Sequence, residues 1–506
     1  MTYLLGVDVG TTAVKVVVFD DQGLEIGSAS EEYKLLTPSD VEVELDADVY
    51  WTSTVKCIRA VLDATMVFGH DIRALAVSSQ GESFVPIDSH GQPLRRTIVW
   101  LDNRSSEEAR LIERQFGAER VYEVTGSPEV VPTWAATKIL WLKRHEPDVF
   151  EKVHKYLFLE DYLIFRLTGE LVAEYALYTS SLLLDIRRFA WWQDMLDFVG
   201  ITSEHLPTLV DPGRVVGRLS DEAAAATGLS ADTVVVSGGM DQACVSVGSG
   251  NTKPGVITDS TGSSLNICVT TDRLVIDPTH RVPIQCHAIK GKYIVLPWCT
   301  TAGMALRWFR DQFCDTERRQ ALETDTDAYD IMTAEAEAIP PGSEGLILLP
   351  HFAGAMCPEF NERARGAFFG MALKHTRAHF IRATMEAVAF MLKRNLDLIQ
   401  QMGLEAEEVR VIGGGAKSAL WNQIKADVTQ RPVLVLRNPE AACLGAAILA
   451  GVAIGVFESV DVACRTAVLV KARVAPDSSN ERVYAHNYGM YVKLYDTLEK
   501  AFWRKG

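Results

Sequence analysis

Two short stretches set a carboxylate beside a turn of glycine and hydroxyl side chains. In "LLGVDVGTTAVKVVVFD", from Leu4, an apolar run holds Asp8, Gly10-Thr11-Thr12 follow, and Val16 to Phe19 resume the run. In "GVITDSTGSSLNICVTTD", from Gly255, Asp259 precedes Thr261-Gly262-Ser263-Ser264 between two further apolar runs. Each reads as a β-hairpin with a small, hydroxylated tip. An ordinary tight turn would account for either one. The chemical alternative is a phosphate cradle: glycine admits a bound group to the backbone, successive N–H groups face an anion, and hydroxyls add donors. Two such hairpins, each near the start of one half of the chain, point to an internal duplication.

Three other stretches carry polar groups at the ends of apolar runs. "SGGMDQACVSVGSG" sets Asp241 and Gln242 just after the strand-like "TVVVSGG". Asp241 is there either as a helix cap or as a general base at a strand's carboxyl end, where ligands of open α/β sheets sit. "SSQGES" offers Gln80, Gly81 and Glu82, and "VWLDNRS" offers Asp102 and Arg104. Both are plain loops or, by their mixture of groups, partners for a hydroxyl-rich ligand. "VIGGGAKSALWNQIKADV" is a strand, a glycine turn and a helix, whose N–H groups can meet a phosphate or a sugar hydroxyl. A dinucleotide fingerprint fits poorly, because Ser418 stands at the third glycine and the next strand ends in Arg437-Asn438 rather than an acid. No Walker GxxxxGK[ST] is present. His375 and His379 lack the Glu of HExxH and read as a solvated helix face. Trp191 and Trp192 read as packing.

These groups need a scaffold, and the chain alternates strands with helices. "IRALAVSSQG" is a strand running into a loop, and "FVPIDSHGQPL" a hairpin turning at His90-Gly91. From Thr376 to Met402 the apolar residues Ile381, Met385, Val388, Ala389, Leu392, Leu396 and Ile399 keep helical spacing, and Gly403 supplies the stop. "LGAAILAGVAIGVF" is too short to span a bilayer and rich in small residues, as a close-packed core helix is. The pattern predicts an α/β protein of two related lobes with a cleft between them. "GSGNTKPG" gathers turn residues near Gly250 to Pro254, dividing the chain into residues 1–250 and 251–506.

Composition removes several classes. At 506 residues the chain has room for two or three domains of roughly 150 residues each. A net charge of −16 opposes a nucleic-acid surface. Nine cysteines without a CxxC suit reduced thiols rather than a disulfide framework or a zinc site. The first residues have no basic segment before their apolar run, so no signal peptide is expected. A soluble, cytoplasmic protein with no nucleic-acid or membrane partner is the expectation.

Taken in order, these motifs resemble the FGGY family of carbohydrate kinases, which includes xylulokinase and glycerol kinase, within the actin-like (ribonuclease H-like) ATPase fold. "GAMCPEFNERARGAFFGM" is similar to a signature of that family, and "EAACLGAAILA" looks like the helix after its adenosine segment. The resemblance implies ATP and Mg²⁺ as cofactors and a small sugar or polyol as substrate, and it allows for a homodimer. By position it implies Asp8 as organiser of the metal. Gly10, Thr11, Thr12 and Lys15 would flank the phosphates on one side, and Thr261, Gly262 and Ser263 on the other. Gly414 and Gly415 would take the nucleoside end. Asp241 matches the family's catalytic base, with Gln80, Gly81, Glu82, Asp102, Arg104 and Gln242 toward the sugar. Where glycerol kinase reads N-Q-R-E, this chain has Gly81 for the arginine, and Thr133 stands where that enzyme has a tyrosine. Both losses imply a roomier pocket, suited to a ketopentose or a four- to five-carbon polyol. Glycerol itself, an actin-like assembly ATPase and an NAD-dependent oxidoreductase are the alternatives.

Overall fold

A computed structural model describes residues 2–501. The chain forms two compact units, and the division is not a single cut. The first comprises Met1–Thr252, Thr270–Ile294 and Glu440–Leu469; the second comprises Lys253–Val269, Val295–Pro439 and Val470–Gly506.

The first unit is built on six strands: β1 (Tyr3–Val9), β2 (Ala13–Asp20), β3 (Glu25–Glu32), β4 (Ile72–Ser79), β5 (Val215–Arg218) and β6 (Val234–Met240). Their order is β5-β6-β4-β1-β2-β3. β1 pairs antiparallel with β2 and parallel with β4, and β4 pairs parallel with β6. The carboxyl ends of three parallel strands therefore meet at one edge: Val9 lies opposite Ser79, and Ser79 opposite Met240. Apolar residues predominate in these strands because both faces are covered, which favours apolar runs over strict alternation. Leu5, Val7 and Val9 join the core under the helix Ala47–Thr65. The other face meets the helix Ala441–Ala453, where a Cβ on Gly6 would lie 2.0 Å from the Cys443 carbonyl oxygen. Side chains alternate along a strand, so Asp8 shares the face of Gly6.

The second unit repeats the plan with β7 (Gly255–Thr261), β8 (Leu265–Thr271), β9 (Ala406–Ile412), β10 (Val433–Leu436) and β11 (Val470–Val474). β7 stands between an antiparallel β8 and a parallel β9, as β1 stands between β2 and β4. The long helix runs Arg377–Gln401 with Thr376 at its N-cap, and Gly403 follows with φ of 75°. Its start corrects one expectation. His379 is buried rather than solvated, and its Nδ1 accepts the Thr376 N–H at 3.1 Å, while His375 Nδ1 accepts the Ala372 N–H. Trp191 and Trp192 pack edge-on or tilted against Tyr178 and Phe116, each at 4.9 Å. All nine cysteines are buried and lie outside any disulfide. No helix among the described residues is long and apolar enough to cross a membrane.

Candidate active site

The shared edge of β1, β4 and β6 gathers the acidic groups of the first unit. Asp8 sits opposite Lys15 on β2 and Ser78 on β4, and the Ser78 hydroxyl donates to its Oδ1 at 2.9 Å. Burial, then the charge of Asp241, pushes the Asp8 carboxyl up to about 7, against the Ser78 hydrogen bond. Glu440, at the N-cap of the Ala441–Ala453 helix, raises it further. Lys15 is held 2.8 Å from Glu440. The helix after β6 begins on Asp241 itself, with Met240 as N-cap, and Asp241 Oδ1 accepts the adjacent Gln242 N–H at 2.6 Å. Burial lifts Asp241 to about 6, with that N–H opposing.

The hairpin tip is tied to the neighbouring loops. The Gly10 N–H closes the turn on the Ala13 carbonyl at 2.9 Å, and Thr12 is exposed. Thr11 donates its hydroxyl to Gln80 Oε1 at 3.0 Å and accepts the Trp100 indole N–H at 2.9 Å. Trp100 in turn donates its backbone N–H to the Ser83 hydroxyl. Thr11 thus spans from the hairpin to both polar loops, a role its sequence position did not show. Asp102 and Arg104 have partners of their own. Asp102 is fully buried, accepts the Val43 and Arg104 N–H groups and chelates the Arg104 guanidinium, which also reaches Glu44 at 2.8 Å. The pair clamps its loop from inside.

Glu82 adopts φ of 61°, a strained conformation for a residue with a side chain. Burial pushes its carboxyl up, the charge of Asp241 adds to this, and the Ser180 hydroxyl opposes it. Lys138 is the buried cation nearby, drawn down by desolvation. Its ammonium donates to three backbone carbonyls, of Thr133 at 2.7 Å, Val99 at 3.1 Å and Trp100 at 3.3 Å. Three donors meet three acceptors, as an ammonium requires. At Gly81 a Cβ would lie 2.4 Å from Ser180 Oγ and 3.5 Å from Met240 Sδ. The missing side chain therefore leaves no vacant space in that direction. Gly81→Ala should cost about 1–3 kcal/mol in urea unfolding, and adding Ser180→Gly should recover most of it; an unchanged midpoint for Gly81→Ala would contradict the overpacking.

The second unit holds a cavity of about 400 Å³. Thr261, Gly262 and Ser263 lie at its wall with Gly414, Gly415 and Lys417, and Met304, Leu306 and Tyr329 add apolar surface. Gly262 and Ser263 are exposed, and their carbonyls accept the N–H groups of Gly303, Ala302 and Met304 at the start of the helix Gly303–Phe313. Gly415 is buried against Thr261. Beneath the hairpin, Asp259 and Lys425 form a wholly buried ion pair at 2.7 Å, and Lys425 also donates to the Thr261 hydroxyl at 2.8 Å. Sequence reasoning did not single out Lys425, Lys138, Trp100, Ser180 or Glu440. Each comes from an element whose local pattern is an ordinary helix or loop.

The chain matches models of the N-terminal domain of the FGGY family of carbohydrate kinases over residues 3–248 and of its C-terminal domain over residues 260–454. It is 30% identical to a xylulose kinase of Bacillus subtilis over 98% of this chain and 97% of that protein. It is 31% identical to a gluconokinase of Bacillus licheniformis over 99% and 97%. The crystal structure of a xylulose kinase from Rhodospirillum rubrum superposes with a TM-score of 0.89 at 28% identity, covering 99% of this chain and 100% of that one. The two-lobed α/β architecture is that of the actin-like ATPase fold. With both domain models matched in order along nearly its whole length, the chain belongs to the FGGY family of carbohydrate kinases.

Proposed function

We propose that this chain transfers the γ-phosphoryl group of ATP to a hydroxyl of a neutral ketopentose, xylulose. The observation that carries the choice is the charge of the candidate sugar site. Gln80, Glu82, Asp241 and Gln242 present amides and carboxyls, while the two nearby cations are committed: Lys138 to three carbonyls and Arg104 to Asp102 and Glu44. Amides and carboxyls suit hydroxyl groups. A sugar acid such as gluconate would bring its carboxylate toward Glu82 and Asp241 without an available cation among these residues.

In the proposed reaction, Asp241 accepts the proton of the acceptor hydroxyl as that oxygen bonds to the γ-phosphorus and the bond to the β-bridging oxygen breaks, releasing ADP. Gln80 and Gln242 orient the sugar, and Thr11 holds Gln80 in place. Thr12 of the first hairpin and Gly262 and Ser263 of the second are the proposed phosphate-binding residues. Lys15, released from Glu440, supplies positive charge. Gly414 and Gly415 back the nucleoside, in a cavity of ordinary ligand size. Asp8 is the residue that would hold Mg²⁺, through its carboxylate oxygens; among the described residues no three His, Cys, Asp or Glu side chains converge into a ready-made metal site. Mg²⁺ held there would neutralise charge on the transferring phosphates. Most of the acceleration comes from positioning and charge neutralisation.

Purified protein with Mg·ATP should release ADP with xylulose and far less with gluconate or glycerol. Preferential turnover of gluconate would overturn the charge reading, and the 31% identical gluconokinase speaks for that alternative. The base must be ionised to act. With Asp241 raised to about 6, kcat/KM for the sugar should therefore rise with pH, falling about tenfold per unit below pH 6 and levelling above it. A flat profile from pH 5 to 8 would contradict this.

A further inference from the structure

Between Val236 and Gly239 the ladder of β6 on β4 slips: Val236 lies opposite Ala76, but Gly239 lies opposite Ser78. Three steps along β6 match two along β4, so β6 carries one extra residue. Such a bulge reverses the alternation of side chains beyond it and re-aims the end of its strand. Asp241 is the residue directly after that end. The close approach admits only glycine, because a Cβ on Gly238 would lie 2.0 Å from the Val77 carbonyl oxygen.

Gly238 falls in the slipped stretch and has no register partner on β4, and carboxyl groups from other elements meet the N–H groups of this strand end. The Gly238 N–H donates to Glu160 Oε1 at 2.8 Å. The Met240 N–H faces the Glu174 carboxyl. Glu160 lies in the helix Leu159–Thr168, and Glu174 caps the short helix Tyr175–Tyr178, accepting the Ala176 N–H at 2.6 Å. Both side chains are fully buried, and they face each other and Asp161. Burial and this mutual repulsion push Glu160 well above the usual carboxyl range. A protonated carboxyl or an amide of the same shape can still accept the Gly238 N–H through its carbonyl oxygen.

We propose that Glu160 is a positioning residue for phosphoryl transfer: its carboxyl accepts the Gly238 N–H of the β6 bulge and so fixes the strand end that presents Asp241. The role rests on Asp241 being the base. It needs a hydrogen-bond acceptor at position 160, not a charge. Glu160→Leu should therefore lower kcat by about a hundredfold, the scale of a small misplacement of a reacting group, with KM for the sugar and nucleotide affinity within about twofold. Glu160→Gln should retain kcat within about threefold. Wild-type kcat in Glu160→Leu, or a loss in Glu160→Gln as large as in Glu160→Leu, would overturn the role. Should Glu160→Leu fail to fold, Glu160→Asp withdraws the acceptor by one methylene; lower kcat at unchanged KM supports the role, and full kcat removes it. Asp241→Asn, assayed alongside, separates the two readings. If it is inactive while Glu160→Leu is fully active, only the positioning role falls; if it turns over normally, the base assignment itself falls.

Discussion

Asp241→Asn is expected to lower kcat by about a thousandfold, within the range that a positioned general base contributes. Nucleotide affinity should stay at its wild-type value, since the cavity that the nucleoside is proposed to enter is built wholly from other residues. The asparagine is nearly isosteric and can keep the contact with the Gln242 N–H through its side-chain oxygen. It cannot take the hydroxyl proton. The fold should gain slightly from the change in neutral buffer, for a definite reason. Burial raises the folded-state pKa of Asp241 to about 6, above the ordinary carboxyl value. The folded protein then binds more protons than the unfolded chain between pH 4 and 6, and this group's contribution to stability is lost as pH rises through that window. A neutral amide carries no such cost. The check is single-turnover kinetics beside a thermal melt at pH 8. Near-normal turnover would remove Asp241 as the base, and a lowered Tm would contradict the desolvation account.

Lys425→Met carries the largest expected effect on stability. Asp259 and Lys425 are both wholly buried and 2.7 Å apart. Removing one partner of such a pair leaves an uncompensated charge and costs about 3–5 kcal/mol. The same substitution removes one of the two partners of the Thr261 hydroxyl, which donates to Asp259 and accepts from Lys425. The tip of the second hairpin should loosen, and ADP affinity should fall with it. A double variant, Asp259→Leu with Lys425→Met, separates the two consequences. Apolar replacement of both charges is often neutral for stability, so urea unfolding should recover much of the loss while ADP affinity stays low. Recovery of both, or of neither, would show that the pair does not hold the hairpin in the proposed way.

The two hairpins were legible because their signal is local. Apolar runs of β-branched residues broken by Gly10-Thr11-Thr12 and by Thr261 to Ser264 leave few other conformations open. The helix at Arg377–Gln401 was legible for the same reason, with seven apolar residues on one face and a glycine stop. The general place of Asp241 followed from its position after an apolar strand. Its aim did not, because a one-residue bulge is a property of the pairing of β6 with β4. Gly81 was legible only in part, for the same reason. Absence of a side chain says nothing about what fills the space, and here Ser180 and Met240, distant in the chain, fill it.

By itself the sequence determined the α/β class, the paired hairpins, the positions of Asp8 and Asp241 at strand ends, and the family motifs that name the chemistry. Tertiary structure alone decided which of the polar groups are committed. Thr11 is engaged by Gln80 and Trp100, Arg104 by Asp102 and Glu44, and Lys138 by three carbonyls. The return of residues 440–469 to the first unit, which brings Glu440 to Lys15, was also invisible in the order of residues. Local patterns report backbone preference and burial within a few residues. Many of the partners lie dozens to hundreds of positions apart, as Thr11 with Trp100, Arg104 with Glu44 and Lys15 with Glu440 do, and those contacts exist only once the chain has folded.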